Sequence, residues 1–178
     1  MYDSKCKLPP FKGSLLDYHL QLLVPAECRK DQVTGLDALW IQEHFPAFNS
    51  LAAESESFRF ALEAFVDCRF AKEARTAIAR LWSGIEAMLG IDSELVYRIS
   101  LVAASLLEAR GDARKRRFEE IKKLYGLRSK AVHGDKLPED KVSFALGGAR
   151  DLLGELILWA ISTGHELGPK DFDDAVFY

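Results

Sequence analysis

The sequence predicts an all-α protein, an up-and-down helical bundle of about five main helices behind a small N-terminal extension. Two patterns and the length indicate this fold. From residue 54 onward, apolar residues recur at the three- to four-residue spacing of amphipathic helices. The predicted helices are joined by short connections, which favour antiparallel neighbours. A chain of 178 residues, 48% of them hydrophobic, is long enough to bury one core.

Residues 1–53 form the predicted extension, which begins with a loose lead-in that contains two prolines. Apolar and polar residues alternate over residues 16–24, as in a half-buried strand, although a short helix fits nearly as well. Residues 34–45 are predicted to form a short helix that is capped by Thr34 and stopped by Pro46.

Residues 54–166 form the predicted bundle. Gly126 can break or bend its fourth helix and leave the residues that follow on a separate short turn. The pair Gly147-Gly148 indicates a close approach of two helices, within the chain or across a dimer, or else simple tolerance. The helices are predicted over residues 55–70, 72–89, 93–109, from 113 onward, and 138–163, with Phe58, Ile78, Leu81, Trp82, Ile85, Ile99, Phe118, Ile121, Leu124, Tyr125, Leu153 and Leu156 among the inward positions.

Residues 167–178 are predicted to be an acidic and aromatic C-terminal tail. Three aspartates precede the terminal sequence Val-Phe-Tyr. Tails usually fray, but these last residues can also dock on the body of the protein or on a partner.

The charge is distributed unevenly along the chain. The net charge is −3, yet residues 110–136 contain ten Lys or Arg and only four Asp or Glu. Such a basic segment is either a surface for a polyanion such as RNA or a solvated helix face with balancing acids nearby.

The remaining composition excludes several classes of protein. The three cysteines are odd in number and have no Cys-x-x-Cys spacing, which argues against a disulfide framework and against a zinc site. No apolar run approaches the roughly 20 residues that cross a bilayer. The N-terminus lacks the apolar core of a signal peptide, so we expect a cytoplasmic protein without membrane contact. We expect no cofactor and no metal.

The clearest chemistry lies in residues 124–134, with the sequence Leu-Tyr-Gly-Leu-Arg-Ser-Lys-Ala-Val-His-Gly. It contains Arg128 and His133, which lie about 140° apart around the axis of an unbroken helix. The two side chains can converge if the helix ends near Val132 and the arginine folds back. They can also meet between two copies of the chain across a dimer axis.

Residues 124–134, together with residues 81–89 and 93–100, resemble the Apea-like branch of the HEPN superfamily. The likeness covers about residues 56–164. The resemblance implies a homodimer in which the Arg and His segments face each other, and a metal-independent endoribonuclease. Many catalytic members carry Asn, Asp or His after the arginine, whereas this chain has Ser129, as the Apea-like branch often does.

The residue types suit that chemistry. Cleavage of RNA without a metal needs a group that moves a proton near neutral pH, which His133 can do, and a cation for the phosphoryl charge, which Arg128 can supply. The product would be a 2′,3′-cyclic phosphate. Lys130 is predicted to be an auxiliary phosphate contact. The residues predicted to contact the RNA backbone or to stack on a nucleotide are Arg114, Lys115, Arg116, Arg117 and Tyr125.

Two further residues take their predicted roles from the resemblance, which suggests that Glu86 orients Arg128 or His133 and that Arg98 is a buried charge anchor. Ordinary surface positions are the alternative for both. A structural alternative also exists for the motif itself: His133 bonds the last carbonyls of a helix, and Arg128 pairs with Glu86 or Glu120. The chain would then be a non-catalytic dimer that recognises RNA or a protein partner.

Overall fold

The computed structural model describes residues 34–91 and 94–177. Within these ranges the protein consists of helices and contains no strand, so the prediction of an all-α helical bundle is confirmed. The possible strand over residues 16–24 lies outside the described residues. The helices are α1 (Gly35–Glu54), α2 (Glu56–Asp67), α3 (Ala74–Leu89), α4 (Leu95–Leu107), α5 (Asp112–Val132), α6 (Glu139–Thr163) and α7 (Pro169–Phe177), with a 3₁₀ turn at Cys68–Phe70 after α2.

Helix α3 lies at the centre of the bundle and packs against α2, α5 and α6. Its side chains at Ile78, Leu81, Trp82 and Ile85 are completely buried. Removing such large apolar side chains from water contributes about 1.5–3 kcal/mol each. The predicted inward face of this helix is therefore confirmed, and burial of α3 holds the bundle together.

Helix α1 begins as predicted and ends later than predicted. Thr34 caps it, because its side-chain oxygen accepts a hydrogen bond from the Asp37 amide. Pro46 lies inside the helix, so the prediction that Pro46 stops it is wrong. The helix continues because residues beyond the proline pack on the body: Leu51 is buried, and the Phe48 ring meets the Phe58 ring edge-on at 6.2 Å.

The predicted helix over residues 55–70 is divided in the structure, because α2 ends at Asp67 and the 3₁₀ turn follows. The turn buries Cys68, whose Sγ lies 3.2 Å from the Phe65 carbonyl oxygen. Burial raises the pKa of the Cys68 thiol above its ordinary value. These features give Cys68 the character of a structural thiol; Cys6 and Cys28 lie outside the described residues.

The contact between α5 and α6 depends on one of the two adjacent glycines. A Cβ atom added at Gly148 would lie 2.6 and 2.8 Å from the two methyl carbons of Leu124, whereas one added at Gly147 would meet nothing within 4 Å. Gly148 thus permits a close approach of two helices within the chain, and Gly147 is simply tolerated.

The C-terminal segment forms α7, which packs against α4. Arg110 donates a hydrogen bond to the Val176 carbonyl at 2.8 Å, and Arg114 donates one to the Ala175 carbonyl at 2.9 Å. Cations near a helix C-terminus satisfy carbonyl groups that have no partner inside the helix. The tail therefore docks on the body of the protein.

None of the helices in the described ranges has an apolar stretch that is long enough to span a bilayer.

Substitutions at the paired glycines should have opposite effects. Gly147→Ala should raise the free energy of unfolding by about 0.5–1 kcal/mol, because alanine favours the helix. Gly148→Ala should be about 1–3 kcal/mol less stable than Gly147→Ala, because the new methyl group overpacks against Leu124. Urea denaturation of the two variants measures the difference. Equal stability of both would contradict the close approach at Gly148.

Candidate functional site

Helix α5 carries the Arg-His segment and is continuous through Gly126 to Val132. A break at Gly126, one of the predicted alternatives, does not occur, because the flanking residues Tyr125 and Leu127 are both buried against the bundle. Helical packing on each side therefore outweighs the intrinsic cost of a glycine.

The helix ends at Val132, as one predicted arrangement required, and the end is well defined. Gly134 adopts φ +86°, in the left-handed region. The Gly134 amide donates to the Ala131 carbonyl at 3.3 Å, and the Asp135 amide donates to the Lys130 carbonyl at 3.0 Å. This pair of bonds is a Schellman motif, which closes a helix with glycine at the turning position. His133 is the last residue before the turn, and its side chain is exposed.

Arg128 lies on the side of α5 that faces α3. Its Nη2 atom is 3.3 Å from Oε1 of Glu86, and its guanidinium carbon lies 5.3 Å from the centre of the Tyr125 ring. The side chains of Arg128 and Glu86 are each 24% exposed. The pairing of Arg128 with Glu86 that the sequence allowed is therefore present, and the Arg128 side chain remains partly exposed.

Polar atoms around this ion pair are not fully satisfied. Trp82 is completely buried, and its ring meets the Tyr125 ring edge-on at 5.0 Å. Trp82 Nε1 and Arg128 Nε are buried without a hydrogen-bond partner, and the buried Glu86 Oε1 is held by the ion pair with Arg128 alone. Unpaired buried polar atoms cost free energy, so such a cluster needs an explanation beyond packing. The cluster of Trp82, Glu86, Tyr125 and Arg128 is called the Glu86–Arg128 cluster below.

The pKa of Tyr125 reflects the burial of this cluster. Burial raises the pKa of the Tyr125 phenol above its ordinary value of 10.0, the Arg128 cation opposes that shift, and the Glu86 carboxylate adds to it. The phenol stays neutral near physiological pH and can donate a hydrogen bond.

The chain by itself does not unite Arg128 with His133. Arg128 contacts Glu86 and Tyr125, whereas the His133 ring has no hydrogen-bond or ion-pair partner among residues 34–91 and 94–177. Because α5 is regular between them, the two positions project about 140° apart around its axis. The exposed Lys130 and half-buried Ser129 lie between them on the helix.

The predicted RNA contacts on the first half of α5 fall into two groups. Arg114 bonds the carbonyls of Glu108 and Ala175, and Arg117 is paired with Glu120 and Glu155, so both guanidinium groups are engaged inside the chain. The other group, Lys115 and Arg116, is exposed.

Two features of the predicted site differ from expectation or were missed. Arg98 is exposed, so the surface position holds and the buried charge anchor that the resemblance suggested does not. Tyr97, next to it on α4, was given no role, although its ring packs edge-on against Phe118 with centres 5.7 Å apart. The sequence signal for this pair is Phe118, an aromatic residue that lies between Lys115 and Lys122 at helical spacing on α5.

A groove of about 560 Å³ opens beside the connection between α5 and α6. Gly134 and Asp135, which directly follow His133, line the groove together with Arg75 and Ile78 of α3. The groove therefore lies close in sequence to the exposed His133, which is not itself one of its lining residues. In the described residues no three His, Cys, Asp or Glu side chains cluster as a metal ion would require.

Comparisons of the chain with models of protein families, with curated proteins and with solved structures find no match.

The Glu86–Arg128 pair should show a measurable coupling energy. In a double-mutant cycle with Glu86→Ala and Arg128→Ala, we expect coupling of about 1–2 kcal/mol, because both groups are largely withdrawn from water. The exposed pair Glu73–Arg75, at 2.8 Å, is the matched control and should give about 0–1 kcal/mol. Coupling at Glu86–Arg128 that does not exceed the control would contradict the buried pair.

Tyr125 should make stability depend on pH in the alkaline range. Because its pKa is raised in the folded state, the neutral phenol contributes fully below about pH 10.0, and this contribution is lost as the pH rises through the folded pKa. The unfolding free energy of the wild type should therefore fall more steeply above that pH than that of Tyr125→Phe. Parallel curves for the two proteins would show that the phenol is not perturbed.

Proposed function

We propose that this chain is an HEPN-type domain of the Apea-like branch and acts as a metal-independent endoribonuclease. The observation that carries the proposal is the state of the two groups on α5. His133 is exposed directly after the end of α5, beside Gly134 and Asp135 of the groove lining, and Arg128 is paired with Glu86 while its side chain is 24% exposed.

The chemistry assigns one task to each group. His133 takes the proton from a ribose 2′-hydroxyl, or returns a proton to the 5′-oxygen that leaves, because an imidazole can both accept and donate a proton. The 2′-oxygen bonds to phosphorus as the 5′-oxygen departs, which yields a 2′,3′-cyclic phosphate and a 5′-hydroxyl. Arg128 stabilises the negative charge on the phosphoryl oxygens.

Glu86 supports this chemistry by positioning Arg128. A single arginine side chain has many rotamers, and a carboxylate within ion-pair distance restricts them. Trp82 and Tyr125 pack around the pair, so the cation is held in place before the substrate arrives. Lys130, exposed on the intervening turn, remains available for a neighbouring phosphate.

The proposal requires two chains. Positions 128 and 133 point in different directions on one helix, so the complete site combines Arg128 of one copy with His133 of the other. A two-fold axis that brings the ends of two α5 helices together would create two such sites at once. Val132, beside His133, is 45% exposed and offers an apolar contact near that axis.

A second candidate function follows from the same ion pair. Arg128 already has a carboxylate partner in the chain, and it packs on an aromatic ring. These contacts also suit a purely structural arginine, in which case the domain is a non-catalytic dimer that binds RNA or a protein partner.

RNA cleavage in the presence of a chelator distinguishes the two functions. The wild type should produce 2′,3′-cyclic phosphate ends, and His133→Ala should reduce the rate by about 10²- to 10⁴-fold, which is the usual contribution of a general acid or base. The control is His44→Ala, which alters a histidine bonded to the Trp40 carbonyl on α1. If His133→Ala cleaves at the wild-type rate with unchanged thermal stability, the second candidate stands.

Mixing inactive variants tests whether the site is shared. Arg128→Ala and His133→Ala, each inactive alone, should regain about a quarter of wild-type activity when combined in equal amounts, because half of the dimers are mixed and each has one intact site. A site within one chain would regain nothing. Light scattering of the same samples should give the mass of a dimer, and a monomer at micromolar concentration would remove the shared site.

A further inference from the structure

A stripe on the first half of α5 places an aromatic ring between two lysines. Lys115, Phe118 and Lys122 lie within about 60° of one another around the helix axis. Both lysines are exposed, and the Lys122 ammonium lies 5.7 Å from the centre of the Phe118 ring. The stripe therefore combines positive charge with an aromatic group, away from the Glu86–Arg128 cluster.

Helix α4 supplies a second ring opposite this stripe. Tyr97 packs edge-on against Phe118 with an interplanar angle of 75°, yet its side chain is 56% exposed. An exposed tyrosine held by another ring presents a rigid aromatic surface at little cost in conformational entropy. The α4–α5 contact thus fixes the orientation of Tyr97 while leaving the ring open to a ligand.

A groove of about 320 Å³ runs beside the two rings. Leu101 and Ala104 of α4 and Gly111 contribute to its lining, together with Arg114 and Lys115. Arg114 is engaged with the carbonyls of Glu108 and Ala175, so Lys115 is the lining cation that remains exposed. The groove is apolar along α4 and cationic along α5.

We propose that this groove binds single-stranded nucleic acid, with one base stacked on Tyr97 and the flanking phosphates bound by Lys115 and Lys122. Stacking on an aromatic ring combined with lysine contacts to the backbone is how proteins hold single strands without reading their sequence. Charge complementarity favours this occupant over an apolar peptide, because the two lysines border the rings. Asp112 and Glu119, both exposed, are the carboxylates one helical turn from Lys115 on α5.

This binding site is distinct from the proposed cleavage site and does not depend on it. A duplex cannot offer an unstacked base, so the groove should prefer a single strand to a double-stranded RNA of the same length. The proposal therefore adds a substrate preference that the Arg128–His133 chemistry alone does not provide.

The test measures binding of a fluorescent 2′-O-methyl uridine oligonucleotide, which cannot be cleaved through its 2′-position, to the full-length chain. Tyr97→Leu should weaken binding by at least about fivefold, the lower end of the effect of losing one stacked base. Tyr97→Phe keeps the ring and should bind as the wild type does. Since Tyr97 is exposed, both variants should fold, which circular dichroism verifies.

The lysines are tested through salt dependence. Lys115→Gln with Lys122→Gln should lower the slope of log affinity against log salt by about 0.7 for each lost phosphate contact. Lys141→Gln, an exposed lysine on α6, is the control and should not change the slope. Glu119→Gln should strengthen binding, because it removes a neighbouring negative charge.

Three results would overturn the proposal. The first is an equal affinity of wild type, Tyr97→Leu and Tyr97→Phe, and the second is absence of binding by the wild type. The third is a loss of self-association in Tyr97→Leu, which would assign the groove to a second copy of the chain. The cleavage proposal is tested separately by the RNA cleavage assay, because the protein can bind the oligonucleotide even if it does not cleave RNA.

Discussion

The arrangement of the bundle depends on how closely α2 and α6 approach α3 at Gly84. A Cβ atom there would lie 2.9 Å from Leu153 of α6 and 3.0 Å from the Cβ of Ala64 of α2. Because successive residues of a helix are rotated by about 100°, positions 82 and 86 lie on the side of α3 roughly opposite position 84. The tight contact on one side therefore turns Trp82 and Glu86 toward α5. The Glu86–Arg128 pair follows from the packing of α3, and any role of that pair in catalysis depends on a glycine that does not touch it.

The sequence predicts the parts of this fold that are governed by local periodicity. The buried face of α3 and the end of α5 at Val132 were both predictable, the first from apolar spacing and the second from a glycine after the motif. Pro46 and Gly126 misled the prediction because each residue is costly in an isolated helix. In the structure, buried Leu51 beyond Pro46 keeps α1 intact, and buried residues on both sides of Gly126 keep α5 intact. The docking of the C-terminal helix depends on Arg114 bonding a carbonyl 61 residues away, and no local pattern contains that information.

The basic segment was predicted as either a polyanion surface or a balanced helix face, and the described hydrogen bonds and ion pairs engage most of its arginines but not its lysines at positions 115, 122 and 130. Arg110, Arg114, Arg117 and Arg128 each bond a carbonyl or a carboxylate within the chain. Lys115, Lys122 and Lys130 are exposed. The guanidinium group is planar and weakly hydrated and makes several directed hydrogen bonds, whereas an ammonium group is strongly hydrated and stays in water. Four of the five arginines therefore stabilise the bundle, whereas Arg116 and these lysines are left for a ligand, a division that the charge count alone could not reveal because it treats all cations alike.

Helix α5 connects the proposed binding groove with the proposed cleavage site. From Phe118 to His133 the helix rises by about 22 Å, at 1.5 Å per residue. A nucleic acid strand advances about 3.4 Å per nucleotide in a stacked helix, so roughly six or seven stacked nucleotides would separate a base on Tyr97 from a phosphate at His133 of the same chain, and fewer if the strand is extended. A shorter substrate can occupy only one of the two places at a time. Binding energy from the groove then reaches the reacting phosphate only in longer single strands, and this would make substrate length, rather than base sequence, the property that the protein selects.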